Sequence, residues 1–371
     1  MNLRTTGRAT AAALLSIALL PATLVSAGVA QAKTPEPTPK LTVGEQTDDP
    51  QKVREYWTAE RVSRALANEK KDQAAFSKRA AAGTRSEGRA PVKQVLPAQS
   101  RTAVSSKTLT SLSTASATSV PEMPYAQPVP FPQSQPAVVV GKILFTDKEG
   151  KDHGCSGSSI VTANNNTVWT AGHCIHPGDG TGAEGFYQDI LFIPGFKKNE
   201  LDPKGYDAPW GEWAAKGKVA PTSWTADGDV LWADMAAFTV TAPPEYTNLT
   251  DTVGALGYNF GSGPDWSDII NSGFPGEGYQ RTDMDGYTQF YCTGNAEDAN
   301  PYLFIDERLK FDCDMGHGAS GGPMATPEGQ IVGTNSHGEG DDPNTTTVPI
   351  LYSSAHADNA IEVINAVGAL S

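Results

Sequence analysis

A single serine stands in an unusually small stretch near the carboxyl end of the chain. Ser320 lies in GHGASGGP, residues 316–323, where six of the eight residues are Gly, Ala or Ser. Glycine permits positive φ angles and a close approach of another backbone. The stretch therefore predicts one of two things: a surface turn, or an exposed nucleophilic hydroxyl beside bare N–H groups.

A serine hydroxyl becomes a good nucleophile only beside a base that is itself oriented by a third group. Among the six histidines, His173 stands out because VWTAGHCI (168–175) reads as a strand that ends in a turn. We expect the orienting acid at the start of an apolar strand, where it can be buried against the imidazole. Asp234, in ADMAAFTV, fits this position. Asp229, in DGDV, is the alternative, but it lies in a polar turn.

The other titratable residues carry weaker signals. His153, His176 and His356 are expected at the surface. The acidic runs DGDV and EGDD are expected to be solvated turns, with a calcium loop as the less favoured alternative. The run HCIH does not predict a zinc site, because Cys174 has a better use in a disulfide. We expect no metal and no cofactor.

The elements that must position these residues are mostly strands. From residue 137 onward the chain contains short β-rich runs, such as AVVVGKILF, SGSSIVT, MAAFTV and QIVGTNS, which clusters of Gly, Pro, Asn and Asp separate. A helical period appears only in AHADNAIEVINAVGAL, residues 355–370. The pattern predicts an all-β barrel or sandwich with a closing C-terminal helix.

Two disulfides are expected. The four cysteines, Cys155, Cys174, Cys292 and Cys313, allow three pairings. We favour the two local loops, Cys155–Cys174 and Cys292–Cys313. Such bonds require an oxidising compartment.

The amino-terminal residues predict export. Residues 1–32 combine a basic start, an apolar core and the small-residue site AQA, which is typical of a secretory signal peptide. A membrane anchor is the alternative, but Pro21 interrupts the apolar run and no stop-transfer charges follow. We expect a secreted, extracellular protein with no membrane contact once the signal is removed.

Charge separates the chain into two parts. Residues 1–135 hold 17 Lys and Arg against 10 Asp and Glu, whereas residues 136–371 hold 11 against 32. So acidic a domain disfavours nucleic acid as a partner, and the two parts can attract each other. Within the basic part, a helix is predicted in residues 57–80, with Thr58 as N-cap. Residues 100–136 are rich in Ser, Thr and Pro and read as a linker.

Three blocks, TAGHC, DMAAF and GASGGP in that order, resemble the active-site blocks of secreted bacterial chymotrypsin-like and trypsin-like serine peptidases. GCSGSSI and ALGY resemble further strands of that family, and the sequence is also similar to its glutamyl endopeptidase branch. The resemblance covers residues 137–371. It implies two six-stranded antiparallel β-barrels with the active site between them, and it implies protein or peptide substrates.

The resemblance also assigns catalytic roles. Ser320 would attack the scissile carbonyl, His173 would take and return its proton, and Asp234 would hold the histidine tautomer. The N–H groups of Gly318 and Ser320 would bind the oxyanion. The expected protein is thus a serine endopeptidase that works through an acyl-enzyme.

The resemblance also implies residues that would bind the substrate. Ser336 and Gly338 would pair with the peptide backbone as an added strand. Asp314 lies six residues before Ser320, the spacing of the specificity aspartate in trypsin, and would favour cleavage after Lys or Arg. Glutamyl endopeptidases have a histidine where this chain has Asn335, and His337 is expected at the rim of the pocket. The preference for Lys or Arg over Glu, with broad specificity close behind, therefore stays open.

The sequence departs from trypsin at Ala319, where trypsin has the aspartate that binds a newly freed amino terminus. The basic segment then resembles a propeptide, and EYWTAERVSRA resembles pro-segments of secreted bacterial peptidases. We expect a pro-segment over residues 33–99, a processing site within the linker 100–136, and a monomeric peptidase domain over 137–371. The pro-segment would assist folding or block the cleft of its own peptidase domain.

Two alternatives remain at this point. A catalytically weak or inactive binding protein on a peptidase fold is the first. The second is an α/β-hydrolase, because GASGG fits G-x-S-x-G and Asp341 or Asp342 with His356 would complete a triad. That elbow needs a helix directly after the serine, which the glycines and Pro323 prevent.

Overall fold

The computed structural model describes residues 40–69, 93–100, 125–300, 307–338 and 349–370. The predicted signal peptide, most of the predicted linker, and residues 33–39 and 70–92 of the predicted pro-segment lie outside the described residues. None of the helices within the described ranges combines the length and the apolar character needed to cross a membrane.

Short strands make up most of the structure. In chain order they are β1 (Leu41–Glu45), β2 (Gln94–Leu96), β3 (Gln127–Pro128), β4 (Val140–Thr146), β5 (Asp152–Ile160), β6 (Thr167–Thr170), β7 (Gln188–Pro194), β8 (Lys197–Lys198), β9 (Tyr206–Asp207), β10 (Trp213–Pro221), β11 (Ala236–Thr241), β12 (Gly257–Phe260), β13 (Trp266–Gly273), β14 (Phe290–Asp298), β15 (Leu309–Asp312), β16 (Pro323–Ala325), β17 (Gln330–Thr334), β18 (His337–Gly338) and β19 (Ile350–Ser353). The helices are α1 (Pro50–Tyr56), α2 (Ala59–Glu69), α3 (Thr222–Asp227), α4 (Leu249–Val253) and α5 (Asp358–Gly368).

Six antiparallel strands close into a barrel. Their order is β10, β11, β6, β5, β4 and β7, and β7 pairs again with β10. All seven residues of β4 are buried, which explains why AVVVGKILF is apolar apart from Lys142 and does not alternate. This barrel confirms the all-β prediction and carries both His173 and Asp234 at its rim.

The second half of the chain forms a ten-stranded sheet. Its order is β18, β19, β15, β14, β13, β16, β17, β12 and β2, and β3 pairs with β14. The nucleophile loop, residues 316–322, connects β15 to β16. The C-terminal helix α5 buries Ile361, Ile364 and Val367, as its period predicts.

The predicted pro-segment packs on the first barrel. Strand β1 pairs with β10, and α1 begins at Pro50 under the Asp49 cap. Val53 and Trp57 are fully buried in one apolar cluster with residues of β4 and β7, and so is Val62 of α2. Each such side chain contributes roughly 1.5–3 kcal/mol of hydrophobic free energy. Residues 57–80 were predicted as one helix; α2 covers Ala59–Glu69, Trp57 and Thr58 precede it, and residues 70–80 lie outside the described residues.

The end of the predicted linker belongs to the folded unit, so the linker prediction is wrong for its last part. Ala126 is buried, and β3 adds to the second sheet beside β14. The reason is that a Pro-rich segment can still contribute single strand pairs at a sheet edge.

Candidate active site

Strand pairing brings His173 and Asp234 together. His173 lies in the short 3-10 turn Gly172–Cys174 directly after β6, and Asp234 lies directly before β11. Strands β6 and β11 are antiparallel partners with Ala236 opposite Thr170. The register therefore fixes the acid beside the imidazole with few intervening residues.

The contact between the two side chains is tight. His173 Nδ1 lies 2.9 Å from Asp234 Oδ2, and the backbone N–H of His173 donates to Asp234 Oδ1 over 2.8 Å. The Ser336 hydroxyl donates to Asp234 Oδ2 over 2.5 Å. Burial opposes ionisation of Asp234, but the His173 charge and these hydrogen bonds together hold its pKa below the ordinary value. Asp234 thus stays a carboxylate although its exposed fraction is 0%.

Ser320 and His173 line one cleft of about 290 Å³. Within the described ranges, no hydrogen bond joins the Ser320 hydroxyl to the His173 ring. Such catalytic hydrogen bonds are often long without substrate and tighten in the substrate complex. The cleft thus brings the sequence-predicted serine and histidine to one surface with the Asp234 carboxylate behind them.

The nucleophile loop is held from two sides. Ser156 of β5 donates its backbone N–H to Ser320 O over 2.7 Å, and its hydroxyl donates to Gly318 O over 2.7 Å. On the opposite side, the Gly321 N–H donates to Asn335 O over 2.8 Å. Gly318 has φ +91°, a left-handed backbone that favours glycine. Sequence reasoning missed Ser156, whose only signal is its place beside Cys155.

The N–H groups of Gly318 and Ser320 are available to a ligand. Across the part of the chain that the structure describes, neither group donates to another protein atom. Unpaired N–H groups beside a serine hydroxyl are what an oxyanion requires. The oxyanion role of these two groups stays a prediction.

Both disulfides pair as predicted. Cys155 bonds to Cys174 and Cys292 to Cys313. The first bond ties β5 to the turn that carries His173. Because the sulfurs of Cys155 and Cys174 are in a disulfide, they are not thiolate ligands beside His173.

The predicted substrate-binding segment lies at the cleft, but two of its side chains have partners that the sequence did not predict. Asn335, Ser336, His337 and Gly338 all line it. The Asn335 amide pairs with Asn271 over 2.8 Å, so this side chain is held in the core of the loop. Ser336, expected only as a backbone partner for substrate, also binds Asp234 through its hydroxyl.

Asp314 does not line the cleft. It is buried, ion-paired with Arg281 at 3.1 Å, and accepts the N–H of Ala126 over 2.7 Å. A carboxylate already neutralised by an arginine offers little attraction to a substrate Lys or Arg. The specificity role predicted for Asp314 therefore loses its physical basis, because equal spacing from the serine did not give an equal position.

Three more expectations are wrong. His176 is buried, where Nδ1 accepts from the Gly178 N–H and Nε2 donates to Gly182 O. His356 is buried against Trp169, and burial lowers its pKa to about 4. Asp229 is no solvated residue either: it is buried and accepts from the N–H groups of residues 231 and 232, and burial raises its pKa to about 6. His153 is mostly buried, with 13% of its side chain exposed, and is ion-paired with Asp147.

A buried ion pair at the cleft was not foreseen. Glu69, the last residue of α2, lies 2.5 Å from Lys142 Nζ on β4. Their exposed fractions are 4% and 0%, yet Glu69 lines the cleft with Ser320. Burial raises the pKa of Glu69 to about 7 against the opposing charge of Lys142. The sequence signal was a lysine within an apolar strand, which demands a partner.

Solved structures of bacterial proteases are similar to this chain. No family model matches the chain, and no curated protein does. A protease, Anisep, from Arthrobacter nicotinovorans is 27% identical with a TM-score of 0.54, covering 66% of this chain and 100% of its own. A thermostable serine protease, AL20, from an extremophilic microorganism is 25% identical with a TM-score of 0.52, covering 63% and 98%.

A third solved structure is alike in fold. It is a Glu endopeptidase, 20% identical with a TM-score of 0.50, covering 66% of this chain and 97% of its own. The closed antiparallel barrel, the C-terminal helix and these likenesses agree with one another. The chain has a chymotrypsin-like fold and is similar to bacterial serine proteases.

Proposed function

We propose that this protein is a secreted serine endopeptidase that cleaves peptide bonds through an acyl-enzyme. The observation that carries the proposal is the His173–Asp234–Ser336 hydrogen-bond chain at a cleft that Ser320 lines. A histidine with a buried, ionised orienting acid is a general base, and a neighbouring serine is the nucleophile it can activate.

In the first half of the reaction, Ser320 Oγ attacks the scissile carbonyl carbon and His173 Nε2 takes the hydroxyl proton. The carbonyl π electrons move to oxygen, and the N–H groups of Gly318 and Ser320 stabilise that oxyanion. Collapse of the tetrahedral intermediate breaks the C–N bond. His173 gives its proton to the departing amine, which leaves an ester on Ser320.

In the second half, water replaces the amine. His173 takes a proton from the water as its oxygen attacks the ester carbonyl. The second intermediate expels Ser320 Oγ, which regains its proton from His173. Asp234 keeps the Nδ1–H tautomer throughout and stabilises the imidazolium formed in each half.

Substrate strands would be held by Ser336–Gly338. A peptide that adds to this segment as an extra strand places its carbonyl over Ser320, while side chains alternate between pocket and solvent. Because Arg281 neutralises Asp314, this carboxylate would not select a substrate Lys or Arg. The cleaved residue would instead be chosen by contacts with His337 at the rim of the pocket.

We also propose that the chain is made as a precursor. Residues 1–32 would direct secretion, and residues 33–99 would be a pro-segment that supports folding of the first barrel and covers the cleft with Glu69. Because Ala126 is packed in the second sheet, the processing cut belongs before residue 125. The mature peptidase domain would act as a monomer, and mass spectrometry of the secreted enzyme reads its amino terminus. A mature chain that begins at Lys33 would refute the proposed processing site in the linker.

A binding protein that has lost catalysis is the second candidate, and no observation favours it. Hydrolysis of an internally quenched peptide library distinguishes the two. Ser320→Ala should lower kcat by several powers of ten with an unchanged circular dichroism spectrum. Ser267→Ala, at an exposed serine of β13, is the matched control and should keep wild-type rates. Equal activity of Ser320→Ala and wild type would refute the proposal.

A further inference from the structure

The cleft contains a carboxylate-binding site that the catalytic residues do not use. Glu69 is the last residue of α2, and its side chain is fixed against Lys142 on the barrel wall. Lys142 Nζ also donates to Phe274 O over 3.2 Å. A buried ammonium without a carboxylate is strongly unfavourable.

Glycines shape the space around this carboxylate. Gly154 of β5, Gly276 and Gly286 of the β13–β14 connection, and Gly318 of the nucleophile loop come from three segments, and a Cβ on any of them would crowd the Glu69 carboxyl group. At Gly276 the added Cβ would lie 2.7 Å from Glu69 Oε2, and its three nearest neighbours are all atoms of Glu69. The pocket therefore has room for one carboxylate group, and the Lys142 ammonium lies at its base. We call it the Lys142 pocket.

The Lys142 pocket lies on one defined side of Ser320. The nucleophile loop is bonded to Ser156 of β5 on one side and to Asn335 on the other. Gly154 precedes Ser156 in β5, so the pocket is on the β5 side. The acyl part of a substrate would pair with Ser336–Gly338 on the Asn335 side. The β5 side is then the side of the leaving group.

The Lys142 ammonium supplies the charge that favours an anion in this pocket. His317 and His153 also attract the Glu69 carboxylate. Each is itself paired with another carboxylate, Glu277 and Asp147 respectively. Removal of α2 takes Glu69 away and leaves Lys142, the glycines and both histidines in place. The space and the cation then face the cleft where the second half of a substrate must lie.

We propose that, in the mature enzyme, the Lys142 pocket binds an acidic side chain of the substrate on the leaving-group side of the scissile bond, where Glu69 lies in the precursor. This rests on the proposed peptidase function and on loss of α2. The enzyme would then prefer proteins and peptides with Asp or Glu within a few residues after the cleaved bond, whatever residue precedes it.

The test uses mature secreted enzyme whose amino terminus has been read by mass spectrometry. Internally quenched peptides are identical except for Glu or Gln at the first, second or third position after the scissile bond. At one of these positions kcat/KM for Glu should exceed that for Gln by about tenfold or more, since a desolvated charge pair outweighs a neutral hydrogen bond. The same exchange before the scissile bond should not show this Lys142-dependent ratio.

Two variants locate the effect. Lys142→Met should bring the Glu-to-Gln ratio to about one, whereas Lys151→Met, which removes an exposed lysine from the β4–β5 turn, should keep it. If Lys142→Met does not fold, Gly276→Ala serves instead, because its methyl group enters space that only Glu69 occupies. It should lower cleavage of the Glu peptide to the level of the Gln peptide.

The outcomes separate this proposal from the function itself. Efficient cleavage of the Gln peptides, together with a Glu-to-Gln ratio near one in wild type, would overturn the Lys142 pocket and leave the peptidase intact. A ratio that survives both Lys142→Met and Gly276→Ala would also overturn it. If no peptide is cleaved and a fluorophosphonate does not label Ser320, the proposed function has failed, and the substrate preference fails with it.

Discussion

Two buried carboxylates stand at the same cleft and behave differently. Asp234 accepts from the His173 ring, the His173 backbone and the Ser336 hydroxyl, and its pKa is lowered despite full burial. Glu69 has its ion pair with Lys142, and burial raises its pKa to about 7. Three hydrogen-bond donors keep the charge of Asp234 permanent, whereas the charge of Glu69 depends on one ion-pair partner and is conditional. The first arrangement suits a catalytic acid, and the second would suit a segment that is released on processing.

Breaking the permanent charge should have the largest effect. Asp234→Asn keeps the shape but lets the amide bond to the wrong histidine tautomer, so kcat should fall by about 10⁴-fold, as in other triads. Peptide hydrolysis at pH 8 gives the rate, and circular dichroism monitors the fold. Asp229→Asn is the matched control, because Asn can still accept from the same N–H groups. If Asp229→Asn were the more damaging change, the acid would be misassigned.

The conditional charge should make docking of α2 depend on pH. The docked pKa of Glu69 is about 7 and its ordinary value is 4.5. The docked state thus binds the proton more tightly, and docking weakens as pH rises through the window from 4.5 to 7. Lys142 is the ion-pair partner of this carboxylate, and His317 and His153 also attract it.

The pH dependence of α2 docking is measured by hydrogen exchange of residues 59–69 in the Ser320→Ala precursor, after correction for intrinsic exchange rates. Protection should fall by about tenfold or more between pH 5 and pH 8. Glu69→Gln should flatten the dependence, and Glu55→Gln, at an exposed site on α1, should leave it unchanged. Constant protection in the Ser320→Ala parent would show that Glu69 is not a conditional charge.

Removing one of the donors to Asp234 should have the smallest effect. Ser336→Ala deletes a single hydrogen bond to a charged group and should lower kcat by about tenfold. Ser354→Ala is the control, because its hydroxyl donates to the backbone carbonyl of Asp234 over 3.2 Å and leaves the carboxylate alone. Steady-state rates on one peptide compare the two. Equal losses would mean that Ser336 acts only through packing.

The sequence predicted those parts of the site that stand in recognisable motifs. His173 and Asp234 are 61 residues apart, but each stands at the end of a strand in a block that resembles an active-site block of the family, so the two could be paired. The glycines around Ser320 likewise indicated a loop with free N–H groups. The C-terminal helix was predicted from the period of its buried residues.

Contacts between distant segments were not predictable in the same way. Lys142 in an apolar strand signalled a buried partner, but nothing in the sequence selects Glu69 among the carboxylates. Asp314 was misplaced because Arg281, which neutralises it, comes from another loop. His176 and His356 are buried because backbone groups and Trp169 satisfy their ring nitrogens, which isolated histidines do not reveal.

Covalent labelling tests the central claim most directly, namely that the His173–Asp234 pair activates Ser320. Mature enzyme is treated with a fluorophosphonate, and the modified peptide is identified by mass spectrometry. We expect stoichiometric labelling on Ser320 in wild type, labelling slowed by several powers of ten in His173→Ala, and none in Ser320→Ala. Labelling at another residue, or equal labelling in His173→Ala and wild type, would contradict the account.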